Sequence, residues 1–217
     1  YLFEFYLINF KNNNNNQIIK KRSEQEEKNK QKIKNLKKNI QTPLYVSQKI
    51  MSDPKYMDLV KKYRFYPIGL EPDSEIFLCN EGYGDLIIKT DHLGLRNSKD
   101  KWKYKKPEIV ILGDSYSAGI CVDHQNSIDG YFSKTFKSIN FSTSGNQPIH
   151  YAYIINQIIP NLKPDYVLVN FYNGNDFESY SKAREIKNLL NEKNYLKNKE
   201  NNLIANKKSK QFFNDLK

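Results

Sequence analysis

Cysteine and histidine are scarce in this 217-residue chain, and each scarcity excludes a chemistry. Two cysteines, Cys79 and Cys121, cannot build the disulfide framework of a small secreted domain; they show no C-x-x-C spacing and do not fix the redox compartment. The three histidines, His92, His124 and His150, include no pair at metal-ligand spacing. Neither a metal site nor a cofactor is therefore expected. The opening apolar stretch, residues 1–10, is too short to span a bilayer. It reads equally as the trailing end of a signal anchor or as a short buried segment, and an anchor would attach the chain to a membrane through its N-terminus. The first residue is Tyr rather than Met, which fits a fragment or a processed product. The length holds one ordinary domain plus extra segments.

Arginine is also scarce. Only Arg22, Arg64, Arg96 and Arg184 occur among the 35 basic residues. The net charge of +11 invites a nucleic-acid reading until it is located along the chain. Residues 1–40 carry ten basic and four acidic groups, residues 182–217 carry ten and four, and residues 41–181 carry fifteen and sixteen. The excess lies in two Lys/Asn-rich ends, while the middle is close to neutral. A nucleic-acid binder favours Arg, whose planar fork reads phosphate and guanine, near stacking aromatics. No nucleic-acid partner is expected.

Residues 11–42 are polar, with Glu24 and Lys28 spaced to pair on a helix, and predict a solvated helix or linker. Residues 43–104 read as an N-terminal extension with short strands, including a hairpin over 74–90. From 105 to 217 the pattern changes. Residues 108–112 (Glu-Ile-Val-Ile-Leu), 138–142 (Ser-Ile-Asn-Phe-Ser) and 166–171 (Tyr-Val-Leu-Val-Asn-Phe) are short apolar runs. Between them lie two stretches of helical spacing, 127–136 and 149–162, the second stopped by Pro160 and Pro164. Unbroken apolar strands alternating with helices predict βαβ units and a three-layer α/β/α sandwich around a parallel sheet.

Ligands of such sheets bind outside the carboxyl ends of the strands. The first run ends in Gly113-Asp114-Ser115, the second leads to Ser144-Gly145-Asn146, and the third to Asn173-Gly174-Asn175-Asp176. A serine just past a buried strand presents its hydroxyl and its N–H to one crevice, as acyl transfer requires. Gly145 lets a backbone N–H approach an oxyanion, and the Asn175 amide can donate to the same oxygen. Asp114 is expected to cap or brace the serine turn, and Asp176 to order the Asn175 loop. Arg96 reads as one half of a structural ion pair, Tyr151 and Tyr153 as packing residues, His124 as a surface residue and His150 as a helix-start or loop residue.

These blocks resemble those of SGNH (GDSL-type) hydrolases: Ile-Leu-Gly-Asp-Ser-Tyr-Ser-Ala-Gly at 111–119, Asn-Phe-Ser-Thr-Ser-Gly at 140–145 and Asn-Gly-Asn-Asp at 173–176. The preceding Thr-Asp-His-Leu-Gly-Leu-Arg-Asn at 90–97 is similar to a segment of SGNH proteins associated with bacterial surface polysaccharides. The resemblance implies a flavodoxin-like sandwich, a Ser115 nucleophile, and an oxyanion hole of the Ser115 and Gly145 amides with the Asn175 side chain. It implies a metal-free serine esterase or O-acyltransferase whose substrate is an acylated carbohydrate or a small ester. It also implies a periplasmic or membrane-anchored location, the alternative being cytoplasmic.

The family's closing Asp-x-x-His has no counterpart here. Lys89, Cys121 and Gln147 stand three residues before the three histidines. Three expectations follow: the chain stops short of that block, or His92 beside Asp91 substitutes as the base, or the protein is a non-catalytic SGNH-like glycan-binding or scaffold module.

Overall fold

The computed structural model describes residues 24, 27–28, 31, 40–46, 54–63, 66–80, 84–172 and 210–216. The chain forms two compact units, Tyr1–Thr42 and Pro43–Lys217. In the first, residues 24, 27, 28 and 31 are helical and exposed, and β1 (Ile40–Gln41) is extended. The expected anchor at 1–10 lies outside the described residues. Among the described residues no helix is long and apolar enough to cross a membrane.

The second unit runs α1 (Pro54–Tyr63), β2 (Glu75–Cys79), β3 (Leu86–Lys89), β4 (Ile109–Leu112), α2 (Ser115–Ala118), α3 (Ile128–Phe132), β5 (Ser138–Asn140), α4 (Pro148–Gln157), α5 (Ile159–Leu162) and β6 (Tyr166–Val169). The hairpin expected over 74–90 is the antiparallel pair β2–β3, with a register irregularity between Phe77 and Cys79. β5, β4 and β6 form a parallel sheet in that order, with β4 at its centre. The class is mixed α/β.

β4 consists of β-branched and leucine residues, all buried, which suits the middle of a parallel sheet. Among the described residues β6 takes the sheet edge, and Tyr166, Val167 and Leu168 are exposed. The helical stretch expected over 149–162 is divided at Ile158: Pro160 has no N–H to continue the ladder, so α4 closes and α5 restarts. Lys163 then ends α5 in the left-handed region ahead of Pro164.

Residues 43–104 and 105–217 share one core. Val46, Met57, Val60, Tyr66 and Leu95 pack with Val110, Leu112, Ile139, Phe141, Tyr151 and Ile154, and Phe212 and Phe213 complete the cluster. Cys79 at the end of β2 is disulfide-bonded to Cys121, which follows α2, with 5.5 Å between their Cα atoms. That bond ties the hairpin to the loop behind Ser115 and closes a loop of 42 residues.

Candidate active site at the strand ends

β4 hands the chain to α2 through Gly113 and Asp114. A Cβ at Gly113 would stand 2.3 Å from Ser117 Oγ, so glycine is required here because α2 folds back tightly on the strand end. Asp114, 2% exposed, caps α2: its Oδ1 accepts from the Tyr116 N–H at 3.0 Å. Ser115 is half-buried, and its hydroxyl donates to Asp114 Oδ2 at 3.4 Å. The aspartate thus braces the turn that presents the serine.

Past β5, Gly145 has φ +81°, a conformation that disfavours a side chain. The neighbouring Asn146 is buried and donates from Nδ2 to Gly113 O at 3.4 Å, which ties the second strand end to the first. Among the described residues neither the Ser115 nor the Gly145 N–H donates to a protein acceptor. Beyond β6, Asn170 extends the ladder by donating from its N–H to Leu112 O at 2.8 Å, and its Nδ2 donates to Ser117 Oγ at 2.9 Å. Asn175 and Asp176 lie outside the described residues.

Asp91 and His92 do not act on one another. The Asp91 carboxylate is buried and accepts from Leu93 N–H (2.9 Å), Leu95 N–H (2.8 Å), Asn97 Nδ2 (3.1 Å) and Trp102 Nε1 (3.0 Å). Burial pushes its carboxyl pKa up while these bonds pull it down. The His92 ring instead meets Trp102 edge to face at 4.7 Å between centroids. No hydrogen bond joins His92 to Ser115 among the described residues.

The two other imidazoles are also engaged elsewhere. His150 starts α4 in a capping box: its Nδ1 accepts from Gln147 N–H at 2.9 Å, so its Nε2 carries the proton donated to the Tyr66 hydroxyl. Burial pushes His150 down to about 4, and it is neutral near pH 7. His124 is half-exposed, 3.8 Å from the Asp129 carboxylate.

The asparagines of the motifs form a continuous buried chain, a role that the sequence reading did not assign. Asn97 Nδ2 also donates to Asn140 O (2.9 Å), and Asn97 Oδ1 accepts from Asn140 N–H (2.9 Å). Asn140 Nδ2 continues to Ser117 O (2.7 Å), while its Oδ1 accepts from Ser142 N–H (2.8 Å). The segment 90–97 is thereby bonded through β5 to the helix that carries Ser115. The one available signal was a polar residue closing a short apolar strand, Asn140 after Ser-Ile.

Arg96, expected in an ion pair, donates from Nη1 to the Gly119 carbonyl at 2.6 Å, at the end of α2. The carbonyl is the nearer partner because Gly119 reverses the chain there in the left-handed conformation. Tyr151 and Tyr153 are buried packing residues. The aromatic rings at the strand ends are instead Tyr116 and Tyr172, with centroids 4.7 Å apart.

Among the described residues no cluster of metal-ligating side chains is present. Comparison with family models, with curated proteins and with solved structures finds no match to this chain.

Proposed function

We propose that the protein is an SGNH-type serine esterase or O-acyltransferase acting on acyl esters of glycans. The observation that carries this reading is that Ser115 and Gly145 follow the ends of the neighbouring parallel strands β4 and β5, which Asn146 ties together, with both backbone amides unclaimed among the described residues. The strand order supports it as well. β4 connects to β5 on one side and β5 returns past β4 to β6 on the other, so the order reverses at β4, where α/β proteins bind ligands. With right-handed connections the two helical crossovers fall on opposite faces, giving a three-layer α/β/α sandwich.

Ser115 Oγ attacks the ester carbonyl carbon, and its proton passes through a general base to the departing alkoxide. The oxyanion is held by the Ser115 and Gly145 amides and the Asn175 side chain. Water, or a sugar hydroxyl in a transferase, then attacks the acyl-serine and releases the acyl group. The Cys79–Cys121 bond favours an oxidising location such as the periplasm. A non-catalytic glycan-binding module is the second reading. It is favoured by the three imidazoles, all of which are engaged away from Ser115.

Turnover of p-nitrophenyl acetate tests the enzyme. Ser115→Ala should lose at least about 10³-fold in kcat, and Asn175→Ala about 10²- to 10³-fold, with circular dichroism unchanged. Wild-type turnover by Ser115→Ala would sink the assignment; a wild-type protein with no turnover at all would leave the binding module.

A further inference from the structure

Tyr116 directly follows the nucleophile and is 62% exposed, although every other residue of the run 111–119 is buried or half-buried. Tyr172, 41% exposed, comes from the chain leaving β6. Their rings lie 4.7 Å apart, inclined at 42°. Two large amphipathic rings thus stand together at an exposed position next to Ser115 in the chain, whereas Tyr151 and Tyr153 are buried. Asn170 and Phe171 position the approach of Tyr172: Asn170 is bonded to Ser117 Oγ, and Phe171 meets Tyr151 edge to face at 5.5 Å.

The charge around these rings restricts their ligand. Residues 113–119, 142–147 and 170–172 contain no Lys or Arg, and their one acid, Asp114, is buried under the serine turn. These described segments offer a nucleotide or another phosphorylated ligand no cation of their own, and Arg96, which reaches Gly119, is bonded to its carbonyl. A phenol-bearing, half-wet surface also suits a hydrocarbon chain poorly. A neutral sugar fits both features: its C–H face packs on the rings and its hydroxyls bond to the phenols.

We infer that Tyr116 and Tyr172 form a stacking subsite for a neutral pyranose ring that carries the ester presented to Ser115. The subsite rests on the proposed Ser115 chemistry for its orientation but binds sugar independently of turnover.

Methyl 6-O-acetyl-β-D-glucopyranoside, titrated onto full-length Ser115→Ala protein and followed by saturation-transfer NMR, tests the subsite without consuming the probe. Saturable binding is expected, weakened roughly tenfold by adding Tyr116→Ala and Tyr172→Ala and largely kept by the Phe replacements. Absence of saturable binding, or an unchanged Kd in the double Ala variant, overturns the subsite. With Ser115 intact, the double Ala variant should lose roughly tenfold more in kcat/KM on the acetylated pyranoside than on ethyl acetate, which has no ring, and mainly through KM. Equal losses on both esters would make the tyrosines structural and overturn the subsite. Loss of the Ser115 reading shows separately, as ethyl acetate turnover that survives Ser115→Ala.

Discussion

The two ends of strand β5 are both buried and polar, yet they are built differently. At its start, Ser138 joins a full ion pair: Lys101 Nζ donates to Asp129 Oδ1 and Oδ2 at 2.7 and 2.6 Å and to Ser133 Oγ at 2.8 Å, and Ser138 Oγ donates to Asp129 Oδ1 at 2.7 Å. At its finish, Asn140 belongs to a network whose one carboxylate, Asp91, is satisfied by neutral donors alone. The ion pair is a strut between the segment preceding β4 and the helix preceding β5. The neutral network does the same work but continues to Ser117 and Asn170, and so holds the helix on which Ser115 stands. A buried charge pair depends on both partners, whereas a relay of amides spreads its directional bonds over several elements.

The sharpest break of this comparison is at the ion pair. Lys101→Met should cost about 3–5 kcal/mol in urea unfolding, because it leaves the Asp129 carboxylate buried without a countercharge. Combining it with Asp129→Leu should recover most of that loss, and the kcat of the folded fraction should not change. A single variant as stable as wild type would show that Asp129 is satisfied by Ser133 and Ser138 alone.

His150 makes the site end of the strand pH-sensitive. Its pKa is 6.5 when unperturbed and is held at about 4 by burial, so between these values the unfolded chain binds the proton that the folded protein excludes. Its contribution is complete above pH 6.5 and is lost as pH falls toward 4, on the order of 3 kcal/mol in all. Asp91 acts in the opposite direction, since burial raises its carboxyl pKa and protonation at low pH favours the folded form. Subtraction of a His150→Gln series from the wild-type series in urea midpoint against pH therefore isolates the histidine. Parallel curves for the two proteins would refute its buried, neutral state.

The smallest expected effect is at Asn97. Asn97→Ala removes one donor from Asp91 and two bonds from the Asn140 backbone, at about 1–3 kcal/mol. If the network positions Ser115, kcat on a simple acetate ester should also fall roughly tenfold in the folded protein. Equal kcat values for Asn97→Ala and Lys101→Met would erase the distinction between the two ends of the strand.

Much of the arrangement was legible in the residues. The apolar runs 108–112, 138–142 and 166–171 contain β4, β5 and β6, because a strand of a parallel sheet leaves a contiguous apolar signature; the third run continues past β6, which ends at Val169. Asp114 as a cap and His150 at a helix start were also readable, since capping is a local matter of one to three residues. Asp91 was not. Its neighbour His92 suggested a catalytic pair, but adjacency in a loop does not direct two side chains toward one another, and Asp91 turns to Leu93, Leu95, Asn97 and Trp102.

The sequence by itself determined where the hairpin β2–β3 and the strands β4, β5 and β6 form, that the strand ends carry Ser115, Gly145 and Asn146, and that the chain's middle is close to neutral. These properties depend on local periodicity, on glycine and proline, and on counting charges. Only the tertiary structure decided that Asn97 and Asn140 link three elements, that Cys79 meets Cys121, and that Tyr116 and Tyr172 share one exposed edge. Each of these contacts spans 42 to 56 positions, or links such spans through a shared residue, and depends on sheet order and crossover direction. No local pattern of residues encodes either quantity.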